Sequence, residues 1–179
     1  MADIPRLKQN AVAIHIGYPA DVAEQLEAEA RAVDMSVIRL DVGLVKDESS
    51  LLELLAQEFL FPGKTGFDGA ISYLADLEWF GTENGFLIIV TGLDVLMNAA
   101  TRSLNRLIAI LPAVLDRMRT RGTRCHYVLV GSHSVLQSCR KILREENRKL
   151  LEAAERYPWL HDVRDVPLVE YGMRDWVGD

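Results

Sequence analysis

The residues FLIIVT, at positions 86–91, form an apolar run that ends in a single threonine and is bounded by Gly85 and Gly92. A strand with one exposed face alternates apolar and polar side chains, so a continuous run predicts a strand buried on both faces, as in the centre of a parallel sheet. Parallel neighbours need long crossover connections, which are usually helices. The rest of the chain must therefore supply helices between its strands.

The remaining pattern supplies such an alternation. Runs rich in β-branched residues predict strands at 11–17, 36–41 and 124–130, and a short edge strand, tolerant of Pro167, at 166–169. Apolar residues at helical spacing predict amphipathic helices at 20–33, 47–59, 66–79, 98–121 and 134–156. Pro112 is expected to kink or split the fourth helix. The prediction is an α/β fold with a small, mainly parallel sheet flanked by helices.

The length of 179 residues fits one domain with a sizeable core. We expect a single domain over 1–179, with a core at about 11–130 and a helical extension at about 133–179. The two cysteines suit a reducing compartment, the N-terminus lacks a signal-peptide pattern, and no apolar run approaches the roughly 18 residues of a membrane span. A cytoplasmic protein that does not contact membranes is expected.

The charge is acidic overall but unevenly distributed. The chain has 26 acids and 20 bases, for a net charge of -6; residues 1–100 hold 16 acids and 6 bases, and residues 101–179 hold 10 acids and 14 bases. Direct nucleic-acid binding is disfavoured, because it needs clustered cations. The asymmetry either marks an interaction face or reflects helix surfaces solvated by different signs.

No pattern in the sequence predicts catalysis, a metal or a cofactor. Gly63-Lys64-Thr65 imitates a phosphate-binding loop, but position 58 is Glu where that loop needs glycine, and the segment follows a helix. Ser132 next to His133 lacks the spacing of a nucleophile elbow, so helix N-capping by Ser132 or Ser134 is the better interpretation. The histidines and cysteines have no metal-ligand spacing. Cys125 is expected to pack as a small hydrophobe. We therefore expect no enzyme.

The helix predicted at 66–79 suggests recognition instead. Asp68, Ser72 and Asp76 follow at i, i+4 and i+8 on one face, close to Trp79 and Phe80. Carboxylates on such a face can imitate spaced phosphates and pair with the cations of a nucleic-acid enzyme. The alternative is an ordinary solvated face.

The order of segments resembles the barstar family of ribonuclease inhibitors over roughly residues 11–130. The resemblance rests on the strand ending at Asp41, the helix ending at Phe61-Pro62, Gly66, the run LADLEW at 74–79, and the later strands GFLIIVTGLDVL and RGTRCHYVLV. It implies a parallel sheet flanked by helices, and a protein that inhibits a ribonuclease or other nuclease toxin, often as an immunity protein. The N-terminal strand and helix, 11–33, look like an extension of the family pattern.

The resemblance also implies a binding unit, the loop and helix from Gly63 to Phe80. Asp68 matches a family acid, whereas Ser72 stands where the family has a second Asp, and Arg117 stands close to the position of a third acid. The expected partner is a basic nuclease with a charge pattern unlike that of barnase. The implied contact residues are Lys64, Asp68, Ser72, Asp76, Glu78 and Trp79.

A second hypothesis keeps the fold but assigns a non-inhibitory interaction or regulatory role. The helix predicted at 134–156 carries five cations, Arg140, Lys141, Arg144, Arg148 and Lys149. This helix is a candidate surface for another partner or for formation of a homo-oligomer.

Overall fold

The computed structural model describes residues 6–17, 21–81, 84–160 and 162–171. The five strands of its sheet are β1 (Val12–Gly17), β2 (Ser36–Asp41), β3 (Phe86–Thr91), β4 (Cys125–Val130) and β5 (Leu168–Tyr171). Their order is β2-β3-β4-β1-β5, and each described pairing is parallel. The predicted α/β fold is confirmed, and the predicted edge strand is β5, which begins two residues later than expected.

Helices connect the strands. The α-helices are α1 (Arg6–Gln9), α2 (Asp21–Ala32), α3 (Glu48–Glu58), α4 (Phe67–Leu74), α5 (Leu93–Ala99), α6 (Thr101–Thr120) and α7 (His133–Arg156). Two short 3-10 helices span Glu78–Phe80 and Pro158–Leu160. Within the described ranges, every helix is too short or too polar to span a bilayer.

The sheet separates two hydrophobic cores, which explains the apolar run at β3. Phe86, Ile88 and Val90 face a large core built with α3 to α7, while Leu87 and Ile89 face a smaller core under α1 and α2. All five of these side chains are buried. The prediction of a strand covered on both sides is therefore confirmed.

Two helix boundaries differ from the prediction. The helix expected at 66–79 ends at Leu74, since Ala75 is its C-cap and Leu77 then turns inward to a buried position before the first 3-10 helix. Pro112 does not split its helix, because α6 continues through it with the proline ring buried. The break lies instead at Ala100, between α5 and α6, where φ is -152° and ψ is 64°.

The segment after residue 133 is built into the core. α7 buries Val135, Leu136, Cys139 and Leu143 in the large core. The buried Asn147 holds the segment before β5: its side-chain amide donates to the Val166 carbonyl at 3.0 Å, and its side-chain oxygen accepts from the Val166 N–H at 3.3 Å. Residues 172–179 of the predicted extension lie outside the described residues.

Candidate protein-binding face

The loop-helix unit, residues 63–80, is held by aromatic side chains at its base. The Trp79 indole N–H donates to the Phe59 carbonyl at 2.8 Å, across the whole loop. Tyr73 on α4 lies between Phe61 and Trp79, with ring centroids 5.1 Å and 6.2 Å away. Edge and tilted contacts of this kind favour a fixed ring geometry. Trp79 therefore holds the two ends of the loop together through its hydrogen bond, while 41% of the residue stays exposed to solvent.

The predicted contact residues lie on this one segment, but not on one helix. Lys64 is exposed in the loop, and Asp68 and Ser72 are exposed on α4, where the Ser72 hydroxyl donates to the Asp68 carbonyl at 3.3 Å. Asp76 and Glu78 follow the end of α4, so the expected i+8 position of Asp76 on the same helix is wrong. Whether these residues contact a partner stays a prediction.

Arginines of α6 and of its C-cap run beside α4, a contact that the family resemblance implied for Arg117 but that helical spacing does not predict. Arg117 Nη1 donates to Ser72 Oγ at 3.3 Å, and Arg121 Nη1 lies 2.9 Å from Asp76 Oδ2 in a salt bridge. Nearer the start of both helices, the Arg106 guanidinium lies 5.2 Å from the centre of the Phe67 ring. We call α4, the 3-10 helix at 78–80 and these three arginines the α4–α6 face. Its charge is mixed rather than acidic.

A cleft of about 610 Å³ adjoins this face. Its walls include Asp76, Glu78, Phe86, Arg121 and Thr123. Asp76 uses Oδ2 for the salt bridge with Arg121, while its Oδ1 is buried without a hydrogen bond. The carboxylate of Asp76 therefore connects the end of α6 to the end of α4. Of the three predicted carboxylates, only those of Asp68 and Glu78 are exposed and without an ion pair within the described ranges.

The serine after β4 serves the fold, though not by the expected capping bond. Ser132 is the N-cap of α7, yet its side chain makes no capping hydrogen bond. Its hydroxyl and its backbone N–H both donate to the Asp94 carboxylate of α5, the latter at 2.8 Å. Ser132 thus ties the start of α7 to α5 just after the carboxyl end of β4.

The two strand histidines form a buried polar chain. His15 Nε2 lies 2.9 Å from His126 Nδ1 on the adjacent strand, and His15 Nδ1 lies 2.7 Å from the Tyr171 hydroxyl of β5. Burial, with a smaller contribution from Arg124, lowers the pKa of His126 to about 4. The His126 ring is therefore packed in its neutral form, and the two rings with Tyr171 connect β4, β1 and β5.

The two cysteines and the possible metal ligands are the remaining candidates, and both cysteines are buried. Burial raises the pKa of both cysteine thiols, that of Cys139 to about 12, and Cys125 packs in the large core as predicted. Over the part of the chain that the structure describes, no group of three or more His, Cys, Asp or Glu residues could hold a metal ion.

The cations of α7 are largely used within the chain. Arg140 and Arg144 pair with Glu170 of β5, and Arg148 and Lys149 pair with glutamates one turn away on the helix. Of the five cations that motivated a second interaction surface, Lys141 alone lacks a carboxylate partner within the described ranges. Partner binding or homo-oligomer formation through α7 stays a prediction, and this pairing weakens the reason for it.

A comparison with protein-family models shows the family to which this fold belongs. Residues 35–130 match the family model described as Barstar (barnase inhibitor). The chain belongs to the Barstar family. The match spans β2, β3 and β4 with α3 to α6, and so includes the whole α4–α6 face. It begins later than the predicted start at residue 11, so β1 and α2 lie before it and α7 and β5 lie after it.

Other comparisons add little to the Barstar assignment. A search of curated proteins finds no match. Among solved structures, a Walker-type ATPase of Pyrococcus abyssi has a TM-score of 0.45 and 16% identity over 92% of this chain and 50% of that chain. The ORC2 protein of Aeropyrum pernix has a TM-score of 0.45 and 15% identity over 89% of this chain and 41% of that chain. The chain thus spans half or less of the length of these two structures.

Proposed function

We propose that this Barstar-family protein is not an enzyme but a stoichiometric inhibitor that binds a ribonuclease or other nuclease and covers its active site with the loop-helix unit, residues 63–80. The observation that carries the proposal is the family match, which includes this entire unit. The exposure of the loop and of one side of α4 supports it, because a surface that blocks another protein must be open in the free inhibitor.

The proposed contacts follow from the chemistry of the partner. A nuclease holds phosphates with cations, so the exposed carboxylates of Asp68 and Glu78 can take the place of phosphates. Trp79 offers a ring whose position is fixed by the bond to the Phe59 carbonyl, so little side-chain entropy is lost on binding. Lys64 and Ser72 are proposed as flanking contacts. Asp76, paired with Arg121, is proposed to shape the edge of the face.

The proposed setting is that of an immunity protein in the cytoplasm, which protects its own cell from a nuclease toxin. Attraction between the exposed carboxylates and a basic nuclease would speed association and weaken as salt screens it.

The test is a calorimetric titration against the nuclease encoded by the neighbouring gene, combined with an assay of its activity. We expect 1:1 binding with loss of nuclease activity, and weaker binding by Asp68→Asn combined with Glu78→Gln. Glu24→Gln combined with Glu53→Gln, which removes the same two charges at exposed glutamates of α2 and α3 outside the face, is the matched control and should bind normally. Absence of binding at low salt, or equal binding by the double variant, would contradict the proposal.

A further inference from the structure

Arg117 is the most unusual member of the α4–α6 face. Its side chain is exposed, and its described hydrogen bond goes to the neutral hydroxyl of Ser72, 3.3 Å away. Among the described residues no carboxylate lies within ion-pair distance of its guanidinium. By contrast, the other two arginines of the face have anionic partners, Glu48 for Arg106 and Asp76 for Arg121.

The geometry leaves this guanidinium available to a partner. A guanidinium has five N–H donors in a planar fork, and Ser72 Oγ occupies one of them. The remaining donors suit a carboxylate, which can accept two parallel hydrogen bonds. Ser72 cannot supply the missing charge, and Asp68, one turn earlier on α4, forms no ion pair with Arg117.

We infer that Arg117 is a specificity-determining contact that pairs with a carboxylate on the partner, so the nuclease surface that meets the middle of α4 is acidic. The inference rests on the proposed function and narrows it. The partner then has two regions of opposite sign: cations that meet Asp68 and Glu78, and an acid that meets Arg117. A nuclease that is uniformly basic over this surface would place a cation against Arg117, which costs affinity through like-charge repulsion.

The first experiment measures binding of Arg117→Glu to the nuclease encoded beside this chain. We expect at least about a tenfold loss of affinity, since a charge pair becomes a repulsive contact. Lys8→Glu on α1 is the matched control: it makes the same charge change at an exposed cation that has no ion pair in the described structure and lies outside the α4–α6 face, and it should leave affinity unchanged. Thermal unfolding of each variant checks that the fold is retained.

The second experiment tests whether Arg117 disfavours a nuclease that places cations against this part of the face, with barnase as the probe. We expect the natural sequence to inhibit barnase poorly, and Arg117→Glu to inhibit it at least about tenfold better, with no gain from Lys8→Glu. Equal gains from Arg117→Glu and from Lys8→Glu, which change the net charge by the same amount, would mean that net charge alone acts and would overturn the inference. No gain from Arg117→Glu would overturn it as well.

The two proposals fail in different ways. If the natural sequence binds no nuclease, the proposed inhibitory function is wrong, and the inference about Arg117, which rests on that function, is wrong with it. If the natural sequence binds its nuclease and Arg117→Glu binds equally well, the function stands and the inference about Arg117 is wrong.

Discussion

Asn147 provides a direct test of whether the C-terminal segment is part of the fold. Its side chain makes two hydrogen bonds with the backbone of Val166, a residue that is 1% exposed. Asn147→Ala removes both partners and leaves a buried N–H and a buried carbonyl unsatisfied. Each such group lowers the free energy of unfolding by about 1–3 kcal/mol, whereas the higher helix propensity of alanine raises it by about 0.5 kcal/mol. We therefore expect the free energy of unfolding to fall by about 1.5–5.5 kcal/mol.

Urea denaturation at neutral pH, followed by circular dichroism and tryptophan fluorescence, measures this loss. The control is Asn105→Ala, the same substitution at an exposed asparagine of α6, which should change the free energy of unfolding by no more than about 0.5 kcal/mol. Equal stability of the two variants would refute the idea that Asn147 fastens the segment before β5. Circular dichroism and fluorescence transitions that no longer coincide in Asn147→Ala would show that part of the chain unfolds separately from the rest.

Two further changes test the packing of the sheet. Folding lowers the pKa of His126 from 6.5 to about 4, so the unfolded chain takes up a proton first as pH falls. We therefore expect the contribution of His126 to stability to be complete above about pH 6.5 and to be lost, by about 3 kcal/mol, as pH falls towards 4. Urea titrations at several pH values measure this loss, and His126→Phe should remove this pH dependence. Gly92 and Gly81 both have positive φ, 78° and 66°, but a Cβ at Gly92 would lie 2.4 Å from the backbone nitrogen of Gly43, whereas one at Gly81 meets no atom within 4 Å. Gly92→Ala should therefore destabilise by at least about 2 kcal/mol and Gly81→Ala by about 1 kcal/mol, and equal losses would contradict this reading of the loop.

Most of the strand pattern was predictable because it depends on local periodicity. The run at β3 is apolar throughout, since the sheet has a core on each side, and this fact is visible without knowing the neighbours. Helix ends were harder to predict. The end of α4 is set by Leu77 turning into the core and by the bond from Trp79 to the Phe59 carbonyl, and neither contact follows from helical spacing.

The role of α7 illustrates the same limit. Its five cations suggested a free basic surface, yet four of them have carboxylate partners, and two of these use Glu170 on the edge strand β5. The pairings within the helix could be inferred from i+3 and i+4 spacing. The pairing with Glu170 depends on where β5 lies in the sheet, which the sequence pattern alone leaves open.

The charge of the candidate face could not be read from the charge of the segment that carries it. The loop-helix unit belongs to the acidic part of the chain, residues 1–100, and its own carboxylates predicted an acidic surface. Folding places α6, from the basic part, directly beside it, and Arg117 meets Ser72 across 45 positions of sequence. Since an approaching protein responds to the charges that lie together in space, the arginines of α6 are as much a part of the face as Asp68 and Glu78. The choice of partner is then governed by the pattern of signs along α4, for which the net charge of -6 is a poor guide.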